Sequence, residues 1–298
     1  MAQLIDIARS RRTSPLAAVS PVPAARPPTV IQPPSGWQAL DLGELWKARE
    51  LLFFLTWRDV KVRYKQTALG AAWAVLQPLM TMIVFSLFFG RLARVPSGGL
   101  PYPLFAFAGL LPWTFFANAV SGAGQSVVGS ERLITKVYFP RLIIPIAAVG
   151  AGLVDLLIAC GMLGVLMAYY GVAPGAAILL APVPVVGLVL AAVGVGSLLA
   201  ALNVAYRDFK YVIPFLVQLW MFATPTVYMQ PGRLLSPAWR AVLLLNPAYG
   251  LIANFRAAVL GGPLDPYALS ISLAVSAALF VAGAFYFRRV ERGFADII

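Results

Sequence analysis

The sequence predicts an all-α membrane protein: six transmembrane helices, an amphipathic helix ahead of them, a short amphipathic helix after the second, and short re-entrant helices before the last. Three observations predict it. First, long stretches carry no Asp, Glu, Lys or Arg: Ala68–Gly90 runs 23 residues, Val95–Ser130 36, Leu156–Tyr206 51, Tyr211–Gly232 22 and Pro266–Phe287 22. About 20 apolar residues in a helix cross the hydrocarbon core, and in lipid each backbone group must bond within its own segment. Second, the 298 residues are 60% hydrophobic with a mean hydropathy of +0.83, well above the roughly 45–50% apolar content of soluble domains. Third, the charge of +12 sits beside the apolar runs rather than within them. That placement points to membrane lipids and away from nucleic acid.

Residues 1–40 read as a disordered Pro/Ala/Arg-rich tail, with seven prolines in the first 36 residues and no continuous apolar stretch that would make a cleavable signal. Residues 41–298 read as the membrane domain. Its first element is an amphipathic helix over about 42–65. Phe53, Trp57, Val60 and Tyr64 recur at i, i+4, i+7 and i+11, one helical face, while Arg58, Asp59, Lys61, Arg63 and Lys65 lie on others. Aromatic side chains beside dense positive charge suit a helix in the headgroup region; a helix packed on protein is the alternative.

The six spans are expected at about 69–89, 102–125, 142–170, 177–204, 211–229 and 267–287, with a kink at Gln77-Pro78. Orientation follows the Lys/Arg bias of the short loops. With the N-terminus inside, the inner segments hold eighteen basic residues and the outer ones five, namely Arg91, Arg94, Arg233, Arg240 and Arg256. Both termini are therefore expected in the cytoplasm. Between the fifth and sixth spans, residues 230–262 are apolar in pieces too short to cross, broken by Pro231, Pro237 and Pro247. Two short helices dipping into the outer leaflet fit this pattern, and so does an interfacial hairpin.

The missing chemistry is as informative. There is no histidine and one cysteine, Cys160, which removes metal clusters of the usual kind and any intrachain disulfide. A P-loop needs Gly-Lys followed by Ser or Thr; the five lysines are followed by Ala48, Val62, Gln66, Val137 and Tyr211. The chain thus has no nucleotide site of that kind and no evident catalytic cluster. Asp155 is the one acid inside a span, expected near or past mid-membrane. Intramembrane charge is costly, so Asp155 is either functional or bonded to a neighbouring group such as Arg256. Between the second and third spans, residues 127–138 form a short amphipathic helix in outline. Leu133, Ile134, Val137 and Tyr138 make its apolar stripe, Glu131, Arg132 and Lys136 its polar side, and Pro140 its stop. It reads as a docking helix or as a solvated connector.

Here the sequence resembles a family. Residues 131–145, Glu-Arg-Leu-Ile-Thr-Lys-Val-Tyr-Phe-Pro-Arg-Leu-Ile-Ile-Pro, resemble the coupling-helix region of ABC-2 type permeases that export polysaccharides. Residues 57–73, Leu-Gln-Pro-Leu at 76–79, Asn-Val-Ala-Tyr-Arg-Asp at 203–208 and Leu-Asn-Pro at 245–247 fit the same pattern. The resemblance covers about 45–298. It implies a homodimer joined by two copies of a separate P-loop ATPase, which would bind the ATP and magnesium. This chain itself would be a transport subunit, not an enzyme, and would bind no cofactor. The implied cargo is a lipid-linked glycan of the O-antigen, teichoic acid or capsule type, moved across the cytoplasmic (inner) membrane. The resemblance also makes Glu131, Arg132, Leu133, Lys136, Val137 and Tyr138 the ATPase contact, with Arg58, Lys61, Arg63 and Lys65 on the interface helix beside it. Aromatic side chains that sugars could stack on, as a substrate path, are Phe85, Phe88, Phe89, Trp220, Phe222 and Tyr228; packing or lipid-facing roles are the alternative. An ABC-2 exporter of a drug or small lipid is the nearest competing function. An ion-coupled secondary transporter would need inverted repeats and several intramembrane charges.

Overall fold

A computed structural model describes residues 42–65, 72–137, 139–224 and 237–294. The tail, Tyr138 and Tyr228 lie outside the described residues. Those described contain helices and connecting turns and no strand. The ordered helices are α1 (Leu42–Lys47), α2 (Arg49–Lys65), α3 (Ala72–Phe85), α4 (Tyr102–Gly129), α5 (Glu131–Ile134), α6 (Ile143–Tyr169), α7 (Pro182–Ala205), α8 (Phe209–Phe222), α9 (Pro237–Leu244), α10 (Pro247–Leu260) and α11 (Pro266–Val290). A π-helical stretch, Ser86–Leu92, prolongs α3, and a 3₁₀ turn, Ala176–Leu180, precedes α7.

Five of these segments are long and apolar enough to cross a membrane: Ala72–Leu92, Tyr102–Gly129, Ile143–Tyr169, Ala176–Ala205 and Pro266–Val290. α4 is the axis of the bundle. It packs against α3, α6, α7, α8 and α10, and Leu104–Trp113 is buried without interruption. A helix apolar all round belongs in such a position. α7 and α11 lie backbone to backbone where Gly194 faces Gly283. A Cβ on either would run into the other helix's main chain, so small residues set this close crossing.

Both ends of the described chain lie at one end of the bundle. Val127, Ile134, Leu142, Val204, Phe287 and Phe294 share a small core there with Leu45 and Leu51. This is the basic end. The opposite end carries the loops before α4, α7 and α11.

The fifth expected span, 211–229, is helical only as far as Phe222 among the described residues; 225–229 lie outside them. α8 begins at Phe209 and ends at Phe222, 14 residues, or about 21 Å at 1.5 Å per residue, against a hydrocarbon core of about 30 Å. A helix that stops inside a membrane leaves carbonyls without partners, and Asn246 supplies one. Its Nδ2 donates to the Ala223 carbonyl at 3.2 Å and to Thr224 Oγ1 at 2.9 Å, while its Oδ1 accepts from Trp220 Nε1 at 2.9 Å. The same Oδ1 accepts from the Ala248 amide at 3.1 Å, which caps α10, and Pro247 at the first helical position has no N–H in need of an acceptor. The Leu-Asn-Pro piece is thus a joint. α10 climbs away from it packed on α4, α7 and α11 and turns at Gly261, whose φ of +73° suits glycine. Asn254 then ties α10 to the start of α11, donating to the Asp265 carbonyl and accepting from the Asp265 amide. α10 thus packs into the bundle, as the expected re-entrant helix would.

Two further expectations need correction. The 42–65 helix breaks at Ala48. Its buried face is Leu55 and Val60 with Leu52, Thr56 and Tyr64, whereas Phe53 and Trp57 are 69% and 49% exposed. The reason is α6: α2 runs alongside it, Leu55 against Ile143 and Ala147, Thr56 against Gly150, and that neighbour chooses the face. Residues 127–138 are likewise not one helix. Val127–Gly129 end α4, Glu131–Ile134 make a single turn, and the Thr135 hydroxyl bonds back to the Glu131 carbonyl at 3.1 Å.

Candidate functional site

The site has two parts, a contact edge at the basic end and a polar cleft above it. At the edge, Ile134 is buried and Leu133 half-buried, both in cores shared with α1, α2 and α6. The Leu133–Ile134 part of the apolar stripe therefore points inward, and Val137 does not. What α5 and its turn present outward is Glu131, Arg132, Lys136 and Val137, the last 52% exposed. Beside them a groove of about 490 Å³ is lined by Gln125, Glu131, Asn203, Arg207 and Lys210 among others.

Behind the edge, charged groups from four places meet. Arg288, nearly buried at the end of α11, donates to Glu44 of α1 at 2.7 Å and to Glu291 at 3.1 Å. Arg141, just ahead of α6, donates to the Glu291 carbonyl. Burial pushes the Glu291 carboxyl up from its ordinary range, against the opposing pull of Arg288. No local motif announces this cluster, because Arg288 and Glu44 are 244 residues apart. Its effect is to tie both ends of the described chain to the segment between α5 and α6.

The interface-helix residues divide by face. Arg58 pairs with its neighbour Asp59 at 2.8 Å. Lys61 lies over the Trp57 ring, 5.5 Å from its centre, and Lys65 is exposed. Arg63 turns the other way. It donates to one oxygen of Asp155, and the Tyr64 hydroxyl donates to the other. Burial, then the bond to Asp155, pushes the Tyr64 hydroxyl well up, so it keeps its proton. Asp155 is therefore held by α2, not by Arg256, which stacks on Phe105 at 4.1 Å near the opposite end. The partners of Asp155 belong to the basic helix ahead of the first span, and that moves it from mid-membrane toward the basic end.

The cleft opens beside this triad, between α2, α3, α4 and α6. It holds about 440 Å³, and Arg63, Tyr64, Trp73, Gln77, Asn118 and Asp155 are in its wall.

Among the described residues, the aromatic side chains expected to line one path fall in two sets. Phe85 stacks on Phe89 at 5.4 Å and Phe88 is 56% exposed, all on α3 and its π-helical extension. α3 packs on α4 and α6, whereas α8 packs on α4 and α7, so the two sets flank α4 on different sides. Trp220 sits edge-on to Phe116 at 5.0 Å and is bonded to Asn246, which gives it a structural task. Phe222 is 68% exposed.

The family follows from comparison with known proteins. Residues 50–260 match the model for the ABC-2 type transporter family. The chain is a member of that family. Among curated relatives it is 33% identical over 258 residues to the O-antigen export system permease protein RfbA of Myxococcus xanthus, covering 86% of this chain and 98% of that one. It is 27% identical over 250 residues to the protein of the same name from Klebsiella pneumoniae, covering 84% and 95%. The ABC-2 chain and these permeases thus align over nearly the relatives' whole length.

Proposed function

We propose that this ABC-2 chain is the membrane-spanning subunit of an ATP-driven exporter of lipid-linked polysaccharide, of the O-antigen kind. The alignment with O-antigen export permeases over 95–98% of their length carries the reading. The absence of any Gly-Lys-Ser/Thr run in the sequence supports it from the other side, because the energy must then come from a separate ATPase. The working unit is two copies of this chain with two of that ATPase, in the cytoplasmic membrane with both termini inside. ATP and magnesium belong to the ATPase. The exposed apolar faces of α3 and its π-helical extension (Met80, Ile83, Val84, Leu87) and of α8 (Phe215, Leu219, Phe222) have room for the second copy as well as lipid.

The geometry suggests how work is passed on. The ATPase presses on Glu131, Arg132, Lys136 and Val137, with Tyr138 next in the chain. Leu133 and Ile134 anchor that turn in cores shared with α2 and α6, so a push reaches both helices together. α6 carries Asp155, whose bonds to Arg63 and Tyr64 close one side of the cleft. Phe88 and Phe222 are the exposed aromatic candidates for the glycan path, with Phe85 and Phe89 behind the first; Tyr228 follows α8 in sequence.

The test is deletion of the gene in its host. Surface polysaccharide should disappear and lipid-linked glycan should collect inside, and the chain purified alone should turn over no ATP. Unchanged surface polysaccharide, or robust ATP turnover by this chain alone, would refute the proposal.

A further inference from the structure

α4 is apolar along most of its surface but not along one line. Thr114, Asn118 and Ser121 stand at i, i+4 and i+7, a single face, and that face forms a wall of the cleft. Gln77 of α3 stands in the same cleft. Next to it, Pro78 has no N–H, so the Ala74 carbonyl lacks its helical donor; both residues are in the wall. Among the described residues, the side chains of Gln77, Thr114, Asn118 and Ser121 have no hydrogen-bond partner, and Gln77 and Asn118 are exposed. Polar groups left open on two spanning helices cannot be solvated by lipid. They need water or a ligand.

The character of that ligand can be read from the lining. The two charges, Arg63 and Asp155, are spent on each other, so the cleft has no surplus charge for a phosphate. Amides and hydroxyls both donate and accept, which suits a molecule covered in hydroxyls. Trp73, 54% exposed at the rim, offers a flat π-face with negative potential, on which the C–H edges of a sugar ring can lie. The volume of about 440 Å³ falls within the roughly 300–1,000 Å³ of small-ligand sites. We propose that this cleft is a subsite for one neutral pyranose unit of the exported glycan. Trp73 is its stacking platform, Gln77 and Asn118 bond its hydroxyls, and Asp155, held in place by Arg63 and Tyr64, is a further acceptor. The proposal rests on reading the chain as a glycan exporter, and moves the first sugar contact from the aromatic path to a polar one.

Two arms test it. In cells lacking the gene, complementation with Gln77→Ala/Asn118→Ala, which loses roughly one to two hydrogen bonds, or with Trp73→Ala, which loses the stacking platform, should slow export about tenfold. Melting temperature should stay unchanged, and Trp73→Phe should recover most of the rate. Export within twofold of wild type, or a fall only in step with melting temperature, overturns the subsite. If deletion itself leaves surface polysaccharide intact, the exporter reading fails, and the second arm judges the cleft alone. There, the full chain in nanodiscs of uncharged lipid is mixed with mannotriose, rhamnotriose or galactotriose and examined by saturation-transfer NMR. Transfer to ring protons of at least one trisaccharide, lost in Trp73→Ala, is expected. No transfer to any of them overturns the proposal. So does binding of inorganic pyrophosphate that disappears in Gln77→Ala/Asn118→Ala, since the cleft is then an anion site.

Discussion

Two of the polar places in this apolar bundle differ in one respect. At the joint where α8 stops, Asn246 bonds Trp220, the Ala223 carbonyl, Thr224 and the amide that opens α10. Each of these four groups has Asn246 as its partner, and the result is rigidity. In the cleft between α2, α3, α4 and α6, the Arg63–Tyr64–Asp155 triad is satisfied, but Gln77, Thr114, Asn118 and Ser121 beside it are not. The difference separates architecture from use. In a medium that cannot solvate polar groups, a paired one holds helices together, and an open one marks where something polar has to come and go.

The comparison breaks most visibly at the joint. Asn246→Ala removes four hydrogen bonds and orphans the Trp220 indole and the end of α8; at about 1 kcal/mol each, with more for buried groups left unpaired, it should cost several kcal/mol. Thermal unfolding in detergent reads this. A variant that melts like wild type yet fails to export would make the joint a working part instead. At the edge, Leu133→Asp should come next in stability lost, because a charge in a shared core gives up its water. Arg132→Glu/Lys136→Glu, on exposed positions, should leave melting unchanged and abolish ATPase-driven export. The reverse order would place docking on Leu133.

Within the triad, Asp155→Ala strands Arg63. Removing one partner of a fully buried pair costs about 3–5 kcal/mol. Arg63 is 42% exposed at its side chain, so roughly 1–2 kcal/mol is expected, measured by the same melts and checked with the double variant Arg63→Ala/Asp155→Ala. A double variant no more stable than Asp155→Ala would show that α2 is not held through this pair. The smallest effect is at Glu291. Its folded pKa is raised by burial, so the protonated form favours the fold. That contribution is full at low pH and lost as pH rises from the usual carboxylate range through the raised value. Glu291→Gln should remove this slope while leaving stability at neutral pH equal or slightly higher, read from melts across that pH window.

Much of this was legible in the sequence, for stated reasons. Charge-free runs place α4, α6, α7 and α11 within a few residues, since lipid permits little else over such lengths: 102–125 is expected where Tyr102–Gly129 is found, and 142–170 where Ile143–Tyr169 is found. The early stop of α8 was not legible. The apolar run continues past Phe222, and the residue that satisfies the helix end is Asn246, 22 to 26 positions away. Asp155 stood out by its cost, but its partners lie 91 and 92 residues back and nothing local names them. The face that α2 buries, Leu55 with Val60, is set by α6 and was not legible in the aromatic periodicity; of the residues in that periodicity Phe53 and Trp57 stay exposed, while Val60 is buried. The line of Thr114, Asn118 and Ser121 was available as a helical repeat, and the surrounding apolar composition concealed it.

The central claim is that this chain carries the glycan and another subunit burns the ATP. Inverted inner-membrane vesicles holding radiolabelled lipid-linked polysaccharide, prepared with this chain, with a partner ATPase, or with both, test that directly. Label should become protected inside the vesicles only when both subunits and ATP are present, and not when Arg132→Glu/Lys136→Glu replaces the wild-type chain. Protection without ATP, or without this chain, would contradict the account.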